Sequence, residues 1–168
     1  MTLAEINAMD QASFVAALGG IYEHSPWVAE RAFGDRPFAN VGALHAAMDA
    51  AVARAPDSEK LALLRAHPEL AGRAAVRGEL TADSTKEQSG AGLAQCSPAE
   101  FALLTDYNTR YNAKFGFPFI LAVKGYDRAG IIREFARRVE QDRATEFTEC
   151  LVQVGRITRG RLNVLVGG

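Results

Sequence analysis

Apolar residues recur every three or four positions along most of this chain, and the period of two that marks a half-buried strand is scarce. Val41, Leu44, Ala47, Met48 and Ala51 trace one amphipathic helix face. Phe101, Leu104, Asn108, Tyr111 and Phe115 trace a second, and Phe147, Cys150, Leu151, Val154 and Ile157 a third. The residues between these stripes supply starts and stops. Asp10 is placed to cap a helix ending at Gly19-Gly20, and Ser25-Pro26 reads as an N-cap with proline at the first helical position. Asp57 or Ser58 opens a helix that reaches Ala66, where Pro68 disfavours further α conformation at His67. Ser84-Thr85-Lys86-Glu87 and Ser97-Pro98-Ala99-Glu100 both fit the capping box, in which a serine and a glutamate satisfy each other's backbone N–H. The first of these boxes predicts a helix towards Ala94, the second a helix that Gly116 and Pro118 end. Asp127 caps a further helix to about Val139, and Asp142 opens the last. Between 68 and 83 the periodicity is weak, leaving room for one short helix around Ala71 to Val76.

One stretch departs from this pattern. Phe119-Ile120-Leu121-Ala122-Val123 is a short apolar run bounded by Pro118 and Gly125. Among so many helices a lone strand has no ladder partner. The run therefore predicts a single extended piece whose backbone groups must find other partners, a ligand being one candidate. The predicted architecture is all-α: a single-domain, multi-helix bundle over residues 1–168, with one short extended segment near 118–124.

Composition narrows the function. With 168 residues and 48% of them apolar, the chain can bury a substantial core without a disulfide or a structural metal. A net charge of −1, with no long run of one sign, does not supply the basic face that nucleic acid requires. The two cysteines, Cys96 and Cys150, match no zinc or redox spacing and read as buried free thiols in a reducing compartment. No apolar stretch approaches the roughly 20 residues that span a bilayer. The N-terminus lacks the apolar core of a signal peptide, and Val166-Gly167-Gly168 is no peroxisomal tripeptide. These features predict a cytoplasmic protein with no membrane partner.

Candidate chemistry gathers in His67-Pro68-Glu69-Leu70-Ala71-Gly72 and the polar cluster from Ser84 to Gln88. An imidazole at a helix C-terminus sees the negative end of the helix dipole, which favours its protonated form and suits a proton donor. The same position also fits a histidine that merely ends a helix. Glu87 is likewise either the capping-box glutamate or a carboxylate beside a substrate held at a helix N-terminus, with Ser84 and Gln88 adding hydrogen bonds. His24 and His45 have no patterned acidic neighbour. Glu69 and Glu87 could join His67 as metal ligands, but no HExxH, histidine pair or cysteine set is present. A serine hydrolase would need a G-x-S-x-G elbow, which is missing. Ser89-Gly90-Ala91-Gly92 lacks the lysine of a P-loop and reads as close helix packing. Arg156, Arg159 and Arg161 form a solvated helix end, or one of them holds a carboxylate. A helical binding module without chemistry is the competing class.

Taken together, these residues resemble the 2-oxo-4-hydroxy-4-carboxy-5-ureidoimidazoline (OHCU) decarboxylases of urate breakdown. The resemblance rests on His67 to Leu70, Ser84 to Leu93, Tyr107-Asn108 through Tyr111, Lys114 to Ile120, Ala122 to Gly125 and Arg161-Leu162, and it covers nearly the whole chain. It implies an all-helical homodimer that takes a small-molecule substrate and uses neither cofactor nor metal. It also implies that His67 is the catalytic proton donor and Glu87 its acidic partner. Pro68, the segment Ser84, Thr85, Lys86, Glu87 and Gln88, and the segment Phe119, Ile120, Leu121, Ala122 and Val123 correspond to substrate-binding parts, and Arg161 to a functional arginine. Eukaryotic relatives often carry peroxisomal signals; the lack of one here points to the bacterial, cytoplasmic type.

Overall fold

The computed structural model describes residues 1–72 and 78–167, and the helix expected around Ala71 to Val76 falls largely outside them. Helices make up most of the described residues, and no strand occurs among them. The helices are α1 (Leu3–Ala8), α2 (Gln11–Leu18), α3 (Trp27–Ala32), α4 (Val41–Arg54), α5 (Asp57–Ala66), α6 (Ala82–Gly90), α7 (Pro98–Phe115), α8 (Arg128–Val139) and α9 (Arg143–Gly167). Short 3-10 turns follow α3 and α6 at Phe33–Asp35 and Leu93–Gln95. Contacts gather in two compact units, one from 1–66 with 154–168, the other from 67–153.

Most predicted helix ends are confirmed by their hydrogen bonds. Asp10 accepts from Ser13 N–H at the start of α2, and Asp127 from Gly130 N–H at the start of α8. Ser97 and Glu100 form the predicted capping box of α7, and Gly116, at φ 76°, closes that helix in the left-handed conformation. Ser25 is a correction: α3 starts one residue later than expected and has no side-chain cap, because the Ser25 hydroxyl donates to the Glu23 carbonyl at 3.3 Å instead.

A second correction concerns the helix that carries the candidate site. Thr81, not Ser84, is the N-cap of α6, and its hydroxyl accepts from Ser84 N–H at 3.2 Å. Ser84 is thus already the third helical residue, and Glu87 stands a full turn further in, where no cap remains to be made. The helix stops at Gly90, short of the expected Ala94. Gly92 adopts φ +77°, a conformation that favours glycine, whereas a Cβ on Gly90 would meet open space. The glycine-rich stretch therefore makes a turn; it is not a close-packed helix surface.

In the first unit, Ile6, Phe14, Leu18, Val28, Leu44, Met48, Leu64 and Leu162 are buried together with several polar groups. His45 Nε2 lies 2.9 Å from the Gly155 carbonyl and 3.1 Å from the Thr158 hydroxyl, and its Nδ1 lies 3.3 Å from Asp49. The acidic neighbour absent from the expectation is Asp49, one helical turn on. Asp49 also accepts from the Tyr22 hydroxyl, and burial with this bond pushes the Tyr22 phenol far above its usual range. His45 is thus a satisfied structural histidine.

In the second unit, α7 packs on α8 around an aromatic cluster. Tyr111 meets Phe115, Phe117, Phe119 and Phe135 at centroid distances of 4.5 to 6.1 Å. Phe119 stacks on Phe135 at 3.8 Å, and each such pair adds about 0.5–1.5 kcal/mol beyond its area burial. Of the α7 stripe, Leu104, Asn108, Tyr111 and Phe115 are buried, whereas Phe101 lies near the helix start and is exposed. Cys150 is buried as expected, but Cys96 is only half-buried.

The position of the cap makes a prediction. Thr81→Ala should lower stability in chemical denaturation by about 1 kcal/mol, the usual cost of losing a threonine N-cap. An unchanged midpoint would return the cap to Ser84.

Candidate active site

His67 follows α5 directly and is 8% exposed. The chain then makes a tight turn. Gly72 N–H reaches the Glu69 carbonyl at 3.4 Å, and Ala71 takes a left-handed φ of 49°. A Cβ on Gly72 would come within 2.6 Å of the Glu69 Cβ, so the glycine of this motif is a steric requirement.

Side chains from two helices hold the turn. Gln88 on α6 uses both ends of its amide: Oε1 accepts from Ala71 N–H at 3.0 Å, and Nε2 donates to the Glu69 carbonyl at 3.4 Å. Asn108 on α7 donates to the Leu70 carbonyl at 3.0 Å, and Asn112 donates to the Glu69 carboxylate. Asn108 and Asn112 were not singled out from sequence as site residues. Their signal was present, because Asn108 is a polar residue on the buried face of an otherwise apolar stripe, where a polar group has to be paired.

The helix that clips this turn also presents Glu87. On α6, Ser84 and Gln88 are buried and Glu87 is half-buried, three positions spaced so that they share a face. Thr85 and Lys86 point to the exposed side. With the capping explanation of Glu87 removed, its carboxylate has no role at the helix start. The N-terminal N–H groups expected to bind an anion near Ser84 are also partly engaged, by the Thr81 hydroxyl and by its carbonyl, which accepts from Thr85 N–H at 2.9 Å. A cavity of about 520 Å³ adjoins this region, walled by residues that include Ala71, Thr85, Gln88, Cys96 and Phe101. His67, Glu87 and residues 119–123 are not in its wall.

Residues 118–123 form neither helix, strand nor turn, and all of 119–123 except half-buried Ala122 are buried. Side chains take the place of a neighbouring strand. Arg138 Nη1 donates to the Ile120 carbonyl at 2.6 Å, and Ala122 N–H donates to Gln153 Oε1 at 3.0 Å. Among the described residues, the N–H and C=O groups of Phe119 and Leu121 form no hydrogen bond.

Arg138 is itself fully buried. Its Nε and Nη2 donate to Glu146 at 2.9 to 3.1 Å, and its guanidinium lies 4.5 Å from the Phe119 ring centre. The Tyr111 hydroxyl also donates to Glu146 and lies 3.3 Å from Cys150 Sγ. Burial opposes the Arg138 charge, but the Glu146 hydrogen bonds outweigh it and hold the guanidinium above its usual range. Burial pushes the Cys150 thiol up, so it stays protonated at neutral pH.

In the first unit, Arg156 and Arg159 are exposed, as expected of a solvated helix end. Arg161 is different: it is 6% exposed, pairs with Glu23 at 3.2 Å and donates to the Ile21 carbonyl at 3.3 Å.

The described residues thus make an all-α fold whose candidate polar groups lie at a helix end, on one helix face and beside a ladderless apolar segment. The chain belongs to the OHCU decarboxylase family, whose pattern it matches over residues 7–163. It is 43% identical to the 2-oxo-4-hydroxy-4-carboxy-5-ureidoimidazoline decarboxylase of Haloferax volcanii, over 96% of this chain and 94% of that one. It is 39% identical to the Bos taurus protein of the same name, over 99% and 98%. Among solved structures it is similar to an (S)-allantoin synthase, with a TM-score of 0.80 and 30% identity, over 99% of this chain and 54% of the other. It thus spans about half of that protein.

The Gln88 clip makes a prediction. Gln88→Leu leaves the Ala71 N–H unpaired and the Glu69 carbonyl with Gly72 N–H alone, which should cost about 1–3 kcal/mol of stability. Native-state hydrogen exchange should speed up at Ala71. Unchanged exchange there would mean that the clip does not hold the turn.

Proposed function

We propose that this protein is a carboxy-lyase that converts 2-oxo-4-hydroxy-4-carboxy-5-ureidoimidazoline to (S)-allantoin in urate degradation. The observation that carries the reading is the amide clip from Gln88 to Glu69 and Ala71, which couples the turn after His67 to the helix bearing Glu87. Family membership over 7–163 supports it independently.

The chemistry follows from the substrate. One ring carbon carries a carboxylate and a hydroxyl beside a C=N bond. When the carbon–carboxylate bond breaks, its electron pair moves towards that C=N bond, and carbon dioxide leaves. The nitrogen of that bond takes up one proton, the hydroxyl gives up its proton to become a ring carbonyl, and the neighbouring ureido-bearing carbon takes up another, so one proton is drawn from outside the substrate overall. The substrate thus carries its own electron sink, and we propose that no cofactor or metal takes part. What remains for the protein is orientation and proton transfer to one face. His67 is the proposed acid–base group, and Glu87 holds the hydroxyl. Ser84 and Gln88 add hydrogen bonds from the buried face of α6, Pro68 contributes from the turn after His67, and Thr85 and Lys86 from the exposed side of the same helix. The main chain of Phe119 to Val123 receives the ring amides and ureido arm, for which the unengaged groups of Phe119 and Leu121 are suited donors and acceptors. Arg161 recognises negative charge, its guanidinium oriented by Glu23. We further propose a cytoplasmic homodimer, which light scattering would report as about twice 18.1 kDa.

The test is circular dichroism of the reaction, with substrate generated in situ from urate. Wild-type protein should give a fast signal of single-handed allantoin over the racemic background. His67→Ala should lose about 10²–10⁴-fold in rate while remaining folded. Glu87→Gln, no longer confounded by a cap, should lose activity with Tm unchanged. A normal rate in His67→Ala would overturn the acid–base assignment, and a normal rate in Glu87→Gln would leave Glu87 a helix-surface carboxylate.

A further inference from the structure

We propose that Gln153 and Arg138 are positioning residues for the decarboxylation, acting through the backbone of residues 120 and 122; this rests on the reading that 119–123 receives the substrate. A ladderless segment in a helical protein has no strand to set its register. Here two side chains from different helices do so. Arg138 of α8 holds the Ile120 carbonyl at 2.6 Å, and Gln153 of α9 holds the Ala122 N–H at 3.0 Å. The two anchors sit two residues apart. In an extended chain, residues two apart direct their backbone groups to the same side and the residues between them to the other. The anchored residues are 120 and 122, and among the described residues the backbone N–H and C=O groups of Phe119 and Leu121 form no hydrogen bond. Anchoring one side presents the other.

Both anchors are themselves held. Gln153 is 3% exposed and donates its Nε2 to Glu149 at 3.0 Å, which fixes its amide with Oε1 towards Ala122. The Arg138 fork is held by Glu146, itself held by Tyr111, and its flat face lies on Phe119, the residue next to its backbone target. A guanidinium can make these contacts together because its donors lie in one rigid plane; an ammonium cannot.

The test uses the full-length protein and three variants. Gln153→Met keeps the side-chain volume and removes the acceptor. It should lower kcat/KM about 10- to 100-fold, mainly through KM, with little change in Tm, because small misplacements of bound substrate carry penalties of this size. The exchanged pair Glu149→Gln with Gln153→Glu restores an acceptor for Ala122 N–H without adding charge, and should return KM to within about threefold of wild type. Arg138→Lys keeps the charge opposite Glu146 but loses the fork, and should raise KM in the same way; it serves if Gln153→Met does not fold. A lowered Tm with wild-type KM in the variants would overturn the proposal, as would an exchanged pair as impaired as Gln153→Met. The underlying reading is checked separately in the wild-type protein, where millimolar (S)-allantoin should shift the amide resonances of Phe119 and Leu121. Shifted resonances with wild-type KM in every variant would overturn the positioning roles and leave the substrate-binding reading standing. Unshifted resonances would overturn both.

Discussion

A buried main chain must pair its N–H and C=O groups, and in a protein built only of helices a non-helical segment has no neighbouring strand to do it. Residues 118–123 are that segment, and much of the second unit is arranged around them. Phe119 fills the aromatic cluster against Phe135 and Tyr111, so the segment cannot leave the core without emptying it. Its backbone is then met by Arg138 and Gln153. Lys114 and Arg143 secure the surrounding helix ends by donating to the Val139 and Phe115 carbonyls at 2.7 and 3.1 Å.

This arrangement explains a charge pair that stability alone would not favour. Burying an arginine and a glutamate completely costs several kcal/mol per ion, and their attraction offsets this only when geometry and further hydrogen bonds are good. Arg138 and Glu146 meet that condition, with donors shared between the carboxylate and the Ile120 carbonyl, and with the Tyr111 hydroxyl on Glu146. An apolar pair of equal volume would remove the desolvation cost and would also remove the hold on residue 120. The pair is better understood as a device that gives one segment one position.

The turn after His67 solves a similar problem with neutral groups. Its groups are paired by Gln88, Asn108 and Asn112, three amides on two helices. Amides suit this task because they carry no charge to desolvate, and Gln88 both donates and accepts at once, whereas Asn108 and Asn112 serve as donors. The same turn needs Gly72 for want of space beside Glu69.

Helices were legible in the sequence because their evidence is local: apolar period, capping residue and stop lie within a few positions of one another. Asp10, Ser97, Asp127 and Gly116 behave as such local signals should. The candidate motifs were equally legible as residue types in order, and so was the isolation of 119–123 among helices. Local reading failed where two local signals competed. Thr81 and Ser84 are both good caps, and the backbone around Leu80 to Ala82 decided between them. What the sequence could not yield was every pairing between distant residues. Ala122 with Gln153, Ile120 with Arg138, Leu70 with Asn108 and Ala71 with Gln88 are separated by 17 to 38 positions, and no local pattern encodes which amide meets which carbonyl. By itself the sequence determined that the chain is helical, where most helices begin and end, and which residues can do chemistry. Tertiary structure alone decided which side chains hold the non-helical segments in place, because those hydrogen bonds exist only once the helices carrying them have packed.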